Sequence, residues 1–381
     1  MSFRKTLVRS ASLLAALPLA MAASAAHAET RGYVIGWFAT ATHVEDLKEA
    51  CPGGGNGGIV EMHIRDIARL PGYDIEKAKE EMRKNPNPTQ LPRKFTDAVD
   101  NRAVVNGENK SIYNYPEATP DVNLETGVGK WAWGFDLGGK STAAKFEDPD
   151  THEKVDNQLW RALGCIGQFQ AGPPQMPYGE DLAWNLAVDF APAWLMQVSG
   201  EDLSKDGKVT ITLDRATQHM ERDAGASVLA GMTYVVEPTG RSHNVFQGEI
   251  KNGVITITPA HLYLQGEMPH YAEIDLDNAH MRLKQEANGN VVGYWGGYLD
   301  WKRYAYMFTA RPATGDGVGF YHALKKMADV DPDPKTGLNR KISGTFRIEA
   351  MPAFIATSDG KVIASPTGVS PSGKIADAGA K

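Results

Sequence analysis

The feature that most constrains the fold is a series of short alternating segments in the second half of the chain. Residues 208–213 (KVTITL) alternate polar and apolar side chains strictly, and similar segments follow at 254–258, 274–276, 281–283 and 291–308. Turn-forming pairs lie between them, at Asp206-Gly207, Asn252-Gly253 and Asn288-Gly289. This pattern predicts antiparallel strands in a β-sandwich of the jelly-roll or lectin-like kind. The alternation changes phase between Leu276 and Met281, which predicts a bulge or tight corner there.

The first 28 residues have the composition of a secretory signal peptide. Arg4, Lys5 and Arg9 form a basic start, an apolar run follows over 11–26, and Ala26 and Ala28 are the small residues expected before a cleavage site. We expect cleavage after Ala28 and a periplasmic or secreted protein. No later stretch has the roughly 20 apolar residues of a membrane helix, so the chain is not expected to span a membrane.

Cys51 and Cys165 are the two cysteines of the chain. In an oxidising compartment, an even pair is expected to form a disulfide. A bond between them would close a loop of about 115 residues, which could stabilise the fold by up to ~4.7 kcal/mol in the chain-entropy model. Neither cysteine has the CxxC spacing of a redox or metal site, so a structural role is predicted.

The first half of the chain is predicted to be rich in loops, with an opening strand at 31–41 and helices at 59–70, 75–84 and 155–166. Glycine-rich and proline-rich stretches interrupt it at 52–58 and 85–92. The predicted fold class is α+β: an antiparallel β-sandwich preceded by a disulfide-tied, loop-rich helical N-terminal region. The expected units are this N-terminal region over 29–180, the sandwich over 181–356 and a flexible tail over 357–381.

The net charge argues against nucleic acid as a partner. It is −6 for the whole chain and −9 after removal of Arg4, Lys5 and Arg9 with the leader. A moderately acidic surface without basic clusters favours neither nucleic acid nor anionic membranes. The hydrophobic content of 42% is that of an ordinary globular protein.

Two motifs suggest nucleotide or metal binding. Residues 134–141 fit the phosphate-loop pattern GxxxxGK[ST], but only about seven residues separate Ser141 from Asp148-Pro149, too few for the helix that the motif requires. Asp329, Asp331 and Asp333 are spaced like calcium ligands. Pro334 and Arg340 stand where an EF-hand would have Gly and Glu, so a solvated connector is the alternative to a calcium site. The ten histidines have no metal-binding spacing.

Aromatic residues are concentrated in one short segment together with glycines. Trp295, Tyr298, Trp301 and Tyr304 lie within ten residues, beside Gly293, Gly296 and Gly297. Aromatic faces stack on sugar rings and apolar ligands, and glycine lets a ligand approach the backbone. The four aromatic residues are therefore candidate ligand contacts. The alternative is that they fill the core of the sandwich.

Three short segments resemble secreted bacterial proteins of uncharacterised function. They are 155–165 (VDNQLWRALGC), 49–53 (EACPG) and the DxxTGxN sequence of 333–339. The resemblance covers about half of the chain in pieces. It implies a Cys51–Cys165 pairing and a second half rich in strands, and it implies no activity and no site residues.

A non-catalytic periplasmic protein that binds a small molecule, glycan or lipid, or that serves an envelope complex, is the predicted function. No GxSxG motif is present, and no cofactor motif supports an enzyme. The alternative is a secreted hydrolase of glycans or esters, using histidine or acidic residues that the fold brings together, such as Glu267, Glu273, Asp275 and Asp277. A metal-dependent oxidase or metal carrier would need several histidines and acids to converge.

Overall fold

A computed structural model describes residues 29–43, 47–56, 72, 74–84, 101, 103–119, 121, 123–139, 141, 143–171, 177–268, 271–309 and 317–368. The predicted leader (1–28), the helix predicted over 59–70 and the last part of the predicted tail (369–381) lie outside these residues. The structure is mostly β, with 43% strand and 17% helix. No helix among the described residues is long and apolar enough to cross a membrane.

The strands, in chain order, are β1 (Glu29–Thr40), β2 (Ala103–Val105), β3 (Glu108–Lys110), β4 (Phe146–Glu147), β5 (Lys154–Val155), β6 (Trp194–Gly200), β7 (Gly207–Arg215), β8 (Thr233–Val235), β9 (Asn244–Lys251), β10 (Val254–Ile257), β11 (Ala260–Met268), β12 (Tyr271–Gln285), β13 (Val291–Asp300), β14 (Val330–Pro332), β15 (Asn339–Pro352), β16 (Phe354–Ala356) and β17 (Val362–Ala364). The helices are α1 (Leu47–Ala50), α2 (Ile75–Arg83), α3 (Gln158–Leu163), α4 (Tyr178–Phe190), α5 (Trp301–Thr309) and α6 (Gly317–Met327).

Eight antiparallel strands form a closed barrel. They follow one another in the order β1, β6, β7, β9, β10, β12, β13 and β15, and β15 pairs again with β1. The predicted sandwich preceded by a helical region is therefore wrong. Strands alternate inward and outward residues in both architectures, so the sequence pattern does not separate them. The difference is the pairing of β1 with β15, which joins residues about 310 positions apart and takes the first part of region 29–180 into the barrel.

Large apolar side chains fill the inside of the barrel. Phe38 of β1 stacks on Phe346 of β15, with ring centroids 4.9 Å apart, and meets Trp194 edge-on at 5.3 Å. Trp295 lies 6.0 Å from Phe38 and is fully buried. Further inward residues, such as Ile211, also have no exposed surface. The interior is thus a packed core, as in other small barrels whose side chains fill the lumen.

Strand β12 bends where the sequence predicted a bulge. Its pairing with β13 shifts register between Asp277 and His280, and Asn278 has a positive φ of 51°. The part before the bend pairs with β11 in a hairpin that lies off the barrel order. The prediction of a bulge or corner after Leu276 is confirmed.

Side chains occupy the outer edge of this hairpin. The Asn244 side chain bonds both the N–H and the C=O of Tyr263. The N–H of Gln265 donates to the Ser242 hydroxyl, and its C=O accepts from Trp194. Because these backbone groups are satisfied by side chains, this stretch of β11 is protected from pairing with another strand.

Helix α4 lies across one end of the barrel. The Trp184 indole donates to the C=O of Gly36 at 2.9 Å, and Glu180 binds Thr40 at the end of β1. Helices α5 and α6 pack against each other and against β15. A small sheet of β17, β16 and β8 lies beside the barrel, and it places residues 362–364 of the predicted tail in a strand.

The N-terminal region is tied together by the disulfide between Cys51 and Cys165, whose Cα atoms are 5.7 Å apart. The predicted disulfide is confirmed. The helix predicted over 155–166 covers only Gln158–Leu163 in the structure. The Asn157 side chain caps its start by accepting a hydrogen bond from the N–H of Trp160, and Gly164 ends it. The described residues of the phosphate-loop match are not followed by a helix, since the next element is strand β4.

Candidate functional site

The four aromatic residues that the sequence suggested as ligand contacts all lie in the interior. Trp295 has no exposed surface, Tyr298 and Tyr304 are each 3% exposed and Trp301 is 6% exposed. The Tyr298 hydroxyl donates to the C=O of Leu137, which belongs to the loop that covers it. None of them presents an open ring face to solvent, and a ligand role for them remains a prediction.

The three aspartates suggested for calcium have separate partners. Asp329 is buried and accepts hydrogen bonds from the N–H and hydroxyl of Ser343 at 2.8 and 2.9 Å. Asp331 pairs with Arg340 at 2.8 Å, and Asp333 accepts backbone N–H groups of its own turn. No three His, Cys, Asp or Glu side chains in the described part of the chain are close enough to hold one metal ion. Calcium binding at these aspartates remains a prediction, and the described residues provide no set of side-chain ligands for it.

Two of the four acidic residues considered for a hydrolase, Glu273 and Asp275, line a crevice between β12 and α5, whereas Glu267 pairs with Arg215 and Asp277 with Lys341. Glu273 and Asp275 lie at its mouth, with Arg303 of α5 opposite and Tyr304 inside. The cavity has about 30 Å³ of space, enough for one or two water molecules. Arg303 forms ion pairs with both Glu273 and Asp275, so one cation is shared by the two carboxylates at the mouth.

A second group of side chains lies on the outer surface of the barrel. Arg347 of β15 and Tyr294 of β13 are direct cross-strand neighbours that point outward. The Arg347 guanidinium carbon lies 5.2 Å from the centre of the Trp37 ring, and Trp133 stacks on Tyr294 with centroids 5.6 Å apart and planes 20° apart. All four side chains are partly exposed. We call this set, Trp37, Trp133, Tyr294 and Arg347, the outer aromatic face.

The strands and the N-terminal region position this surface together. A bulge between Ile35 and Trp37 shifts the register of β1 against β15. Trp133 is held in place on its other side by the buried His43, whose ring meets it edge-on at 5.2 Å. The outer aromatic face is therefore part of the folded framework, built on strands and a braced loop.

Arg282 of β12 continues the row beyond Tyr294. Its guanidinium lies 5.5 Å from the Phe135 ring and 5.4 Å from the Tyr294 ring, and it forms an ion pair with Asp148 at 2.7 Å. Burial alone would raise the pKa of Asp148, but the charge and hydrogen bond of Arg282 lower that pKa. The Asp148 carboxylate therefore stays ionised and neutralises Arg282.

Two buried donors within the outer aromatic face have no acceptor in the part of the chain that the structure describes. Among the described residues, the indole N–H groups of Trp37 and Trp133 have no hydrogen-bond partner although both nitrogen atoms are buried. An unsatisfied buried donor costs about 1–3 kcal/mol. Burial raises the pKa of Tyr294, so its phenol stays protonated and can donate as well.

Sequence reasoning missed this surface because its members come from four distant places in the chain. One signal was available: in a strand, neighbours point to opposite faces, so a buried Trp295 implies an outward Tyr294. The paired tryptophans of 131–133 (WAW) would also put two rings on one side of an extended segment. Neither signal connects Trp37 with Arg347.

Comparison with known proteins finds no relative: no family model matches the chain, and no curated protein and no solved structure is significantly similar to it.

Proposed function

We propose that this chain is an exported, non-catalytic binding protein that takes a glycan or another small ring-containing molecule on the outer aromatic face. The observation that carries the proposal is a set of partly exposed side chains on one outer surface: Trp133 stacks on Tyr294, Tyr294 is the cross-strand neighbour of Arg347, and the Arg347 guanidinium lies 5.2 Å from the Trp37 ring. Partly exposed rings and polar donors on a rigid surface are typical of sugar-binding and small-molecule sites.

Two further considerations narrow the proposal. The packed interior of the barrel, with Phe38, Trp295 and Phe346 inside, leaves the outer surface as the place for a ligand, which disfavours a lipid held in the lumen. The Cys51–Cys165 disulfide fits an oxidising compartment, as does the composition of residues 1–28. The disulfide and the composition of residues 1–28 support a periplasmic or secreted location.

Indole resonances provide the test. The chain has eight tryptophans, and each contributes one indole N–H cross-peak in a ¹⁵N–¹H spectrum of the mature protein. Titration with neutral and acidic oligosaccharides should shift the peaks of Trp37 and Trp133 and leave that of Trp295 unchanged. Trp37→Phe, which also assigns one of the peaks, should weaken binding at least fivefold.

A matched control is available on helix α4, where Phe190 is 69% exposed and is not part of the outer aromatic face. Phe190→Ala should bind as the wild type does. Binding that shifts only the resonances of tryptophans other than Trp37 and Trp133 would exclude the outer aromatic face as the site. Binding that is unchanged in Trp37→Phe would exclude it as well.

A hydrolase remains the second candidate, favoured by the row of Glu273, Asp275 and Asp277 on one face of β12 beside the crevice. His261 bonds Asp275 at 2.8 Å and could act on a water there. Release of product from chromogenic glycosides or esters, lost in Glu273→Gln, would support hydrolysis. Binding without turnover of the same compounds would support the non-catalytic proposal.

A further inference from the structure

We propose that the ligand of the outer aromatic face is acidic: a sugar or similar ring that carries a carboxylate, with the carboxylate bound by Arg347 and the ring lying against the aromatic side chains. This inference rests on the proposed binding function and names the chemical class of the ligand. It follows from the charges and from the donors of the surface, which are separate observations.

The charge argument concerns Arg347. Among the described residues it forms no ion pair and no hydrogen bond, and its guanidinium carbon lies 5.2 Å from the centre of the Trp37 ring. The carboxylates nearby are engaged elsewhere: Asp148 pairs with Arg282, and Glu349 accepts a hydrogen bond from Asn290 at 2.9 Å. Arg347 is thus a partly exposed positive charge that forms no ion pair among the described residues, and Glu349 is the carboxylate two positions along the same strand.

The Arg347 guanidinium lies 5.2 Å from the centre of the Trp37 ring, and none of its N–H groups bonds an acceptor among the described residues. The forked edge of a guanidinium matches the two oxygens of a carboxylate, and such paired hydrogen bonds are stronger than those between neutral groups. Lys at this position would keep the charge and lose the paired geometry. The proposal therefore predicts that Arg347→Lys restores only part of the affinity lost in Arg347→Gln.

The donor argument concerns what the surface lacks. The Tyr294 phenol, beside Arg347 on the neighbouring strand, is a further donor, whereas the unsatisfied indole nitrogens of Trp37 and Trp133 are buried and out of a ligand's reach. A neutral sugar presents hydroxyl groups that must both donate and accept. A carboxylate only accepts, which complements the Arg347 guanidinium and the Tyr294 phenol. Asp150 is close enough to raise the pKa of Tyr294, and it would disfavour an anion placed at that end. The carboxylate is therefore assigned to the Arg347 end.

The experiment compares acids with their own methyl esters, so that the ring is kept and the charge is removed. The probes are the trimer of galacturonate, glucuronate and N-acetylneuraminate, each with its methyl ester, titrated into the mature protein at low and at physiological salt. We expect at least one acid to bind at least tenfold more tightly than its ester, with the preference reduced by salt. In Arg347→Gln, acid and ester should bind equally, with the affinity for the ester within twofold of wild type.

Arg340→Gln is the matched control, because Arg340 lies on the same strand and pairs with the exposed Asp331. It should keep the preference for the acid. Equal binding of acid and ester by the wild type, with shifts at Trp37 and Trp133, would overturn the acidic-ligand inference and leave the proposed function standing. Absence of any shift at Trp37 and Trp133 across all probes and the neutral panel would count against both.

Discussion

The Glu180 carboxylate accepts hydrogen bonds from both the backbone N–H of Thr40, at 2.9 Å, and the Thr40 hydroxyl, at 2.7 Å. Glu180 is 1% exposed, and no cation in the described part of the chain pairs with it. Burial raises its pKa to about 7, although both bonds from Thr40 lower it. This contact joins helix α4 to the end of β1, and the raised pKa makes the stability of that junction depend on pH.

Stability should therefore fall as pH rises from about 4.5 to about 7. The folded state holds a proton on Glu180 over this range, whereas the unfolded chain, with a pKa near 4.5, has lost it. Deprotonation in the folded state costs on the order of 3 kcal/mol at and above pH 7. The urea midpoint measured across this range should show the loss.

Glu180→Gln mimics the protonated side chain and should remove that part of the pH dependence. Glu80→Gln, in an exposed ion pair with Lys84, is the control and should leave the slope unchanged. A wild-type slope that persists in Glu180→Gln would assign the pH dependence to other groups.

Loss of the Cys51–Cys165 disulfide should lower the free energy of unfolding by about 2–5 kcal/mol, because the bond closes a long loop of the unfolded chain. The check is urea unfolding with and without a reductant. The double variant Cys51→Ser, Cys165→Ser should unfold at the midpoint of the reduced wild type and should not respond to the reductant. An unchanged midpoint after complete reduction would show that the bond does not contribute to stability.

Local features of this fold were predictable because they depend on neighbouring residues. The alternation of 208–213 and the Asn252-Gly253 turn both correspond to strands and a tight connection in the structure. The bulge after Leu276 was visible as a change of phase. The sequence predicts a helix over 155–166, and the observed helix covers only 158–163. It is shorter because Asn157 caps its start and Gly164 ends it.

Closure of the barrel and the composition of the outer aromatic face were not predictable in this way. Both depend on pairing between β1 and β15 at the two ends of the described chain, and alternation in one strand does not identify its partner. The sequence shows the cluster of aromatic residues over 295–304, but it does not show whether their side chains point into the barrel or outward. That direction depends on which face of the sheet closes on itself.

Truncation of Trp295 should affect stability, whereas truncation of Trp37 should affect binding. Trp295 is fully buried inside the barrel, so Trp295→Ala should cost about 3–5 kcal/mol. Trp295→Phe should cost less, since the lost N–H has no partner among the described residues. Chemical unfolding and ligand titration of Trp295→Ala and of Trp37→Ala check which of the two residues serves stability and which serves binding. A Trp295→Ala variant of normal stability that no longer binds would instead support the sequence-based ligand role.

Removal of the Asp148 carboxylate should loosen the N-terminal region from the barrel. Asp148 is fully buried, pairs with Arg282 at 2.7 Å and accepts backbone N–H groups of Thr151 and Gly134. Asp148→Asn leaves the guanidinium without its counter-charge, at a cost of about 3–5 kcal/mol.

Since Arg282 lowers the pKa of Asp148, the stability that the pair contributes should be present above the ordinary Asp pKa and be lost as pH falls below it. Hydrogen exchange of the backbone amides over 131–157, together with urea unfolding, measures both effects. Asp331→Asn, in an exposed pair with Arg340, is the control and should cost less than about 1 kcal/mol. The double variant Asp148→Asn, Arg282→Met should recover part of the loss, because it removes the unpaired charge. If Asp148→Asn unfolds like the control and exchange over 131–157 stays slow, the segment is held by its aromatic contacts alone.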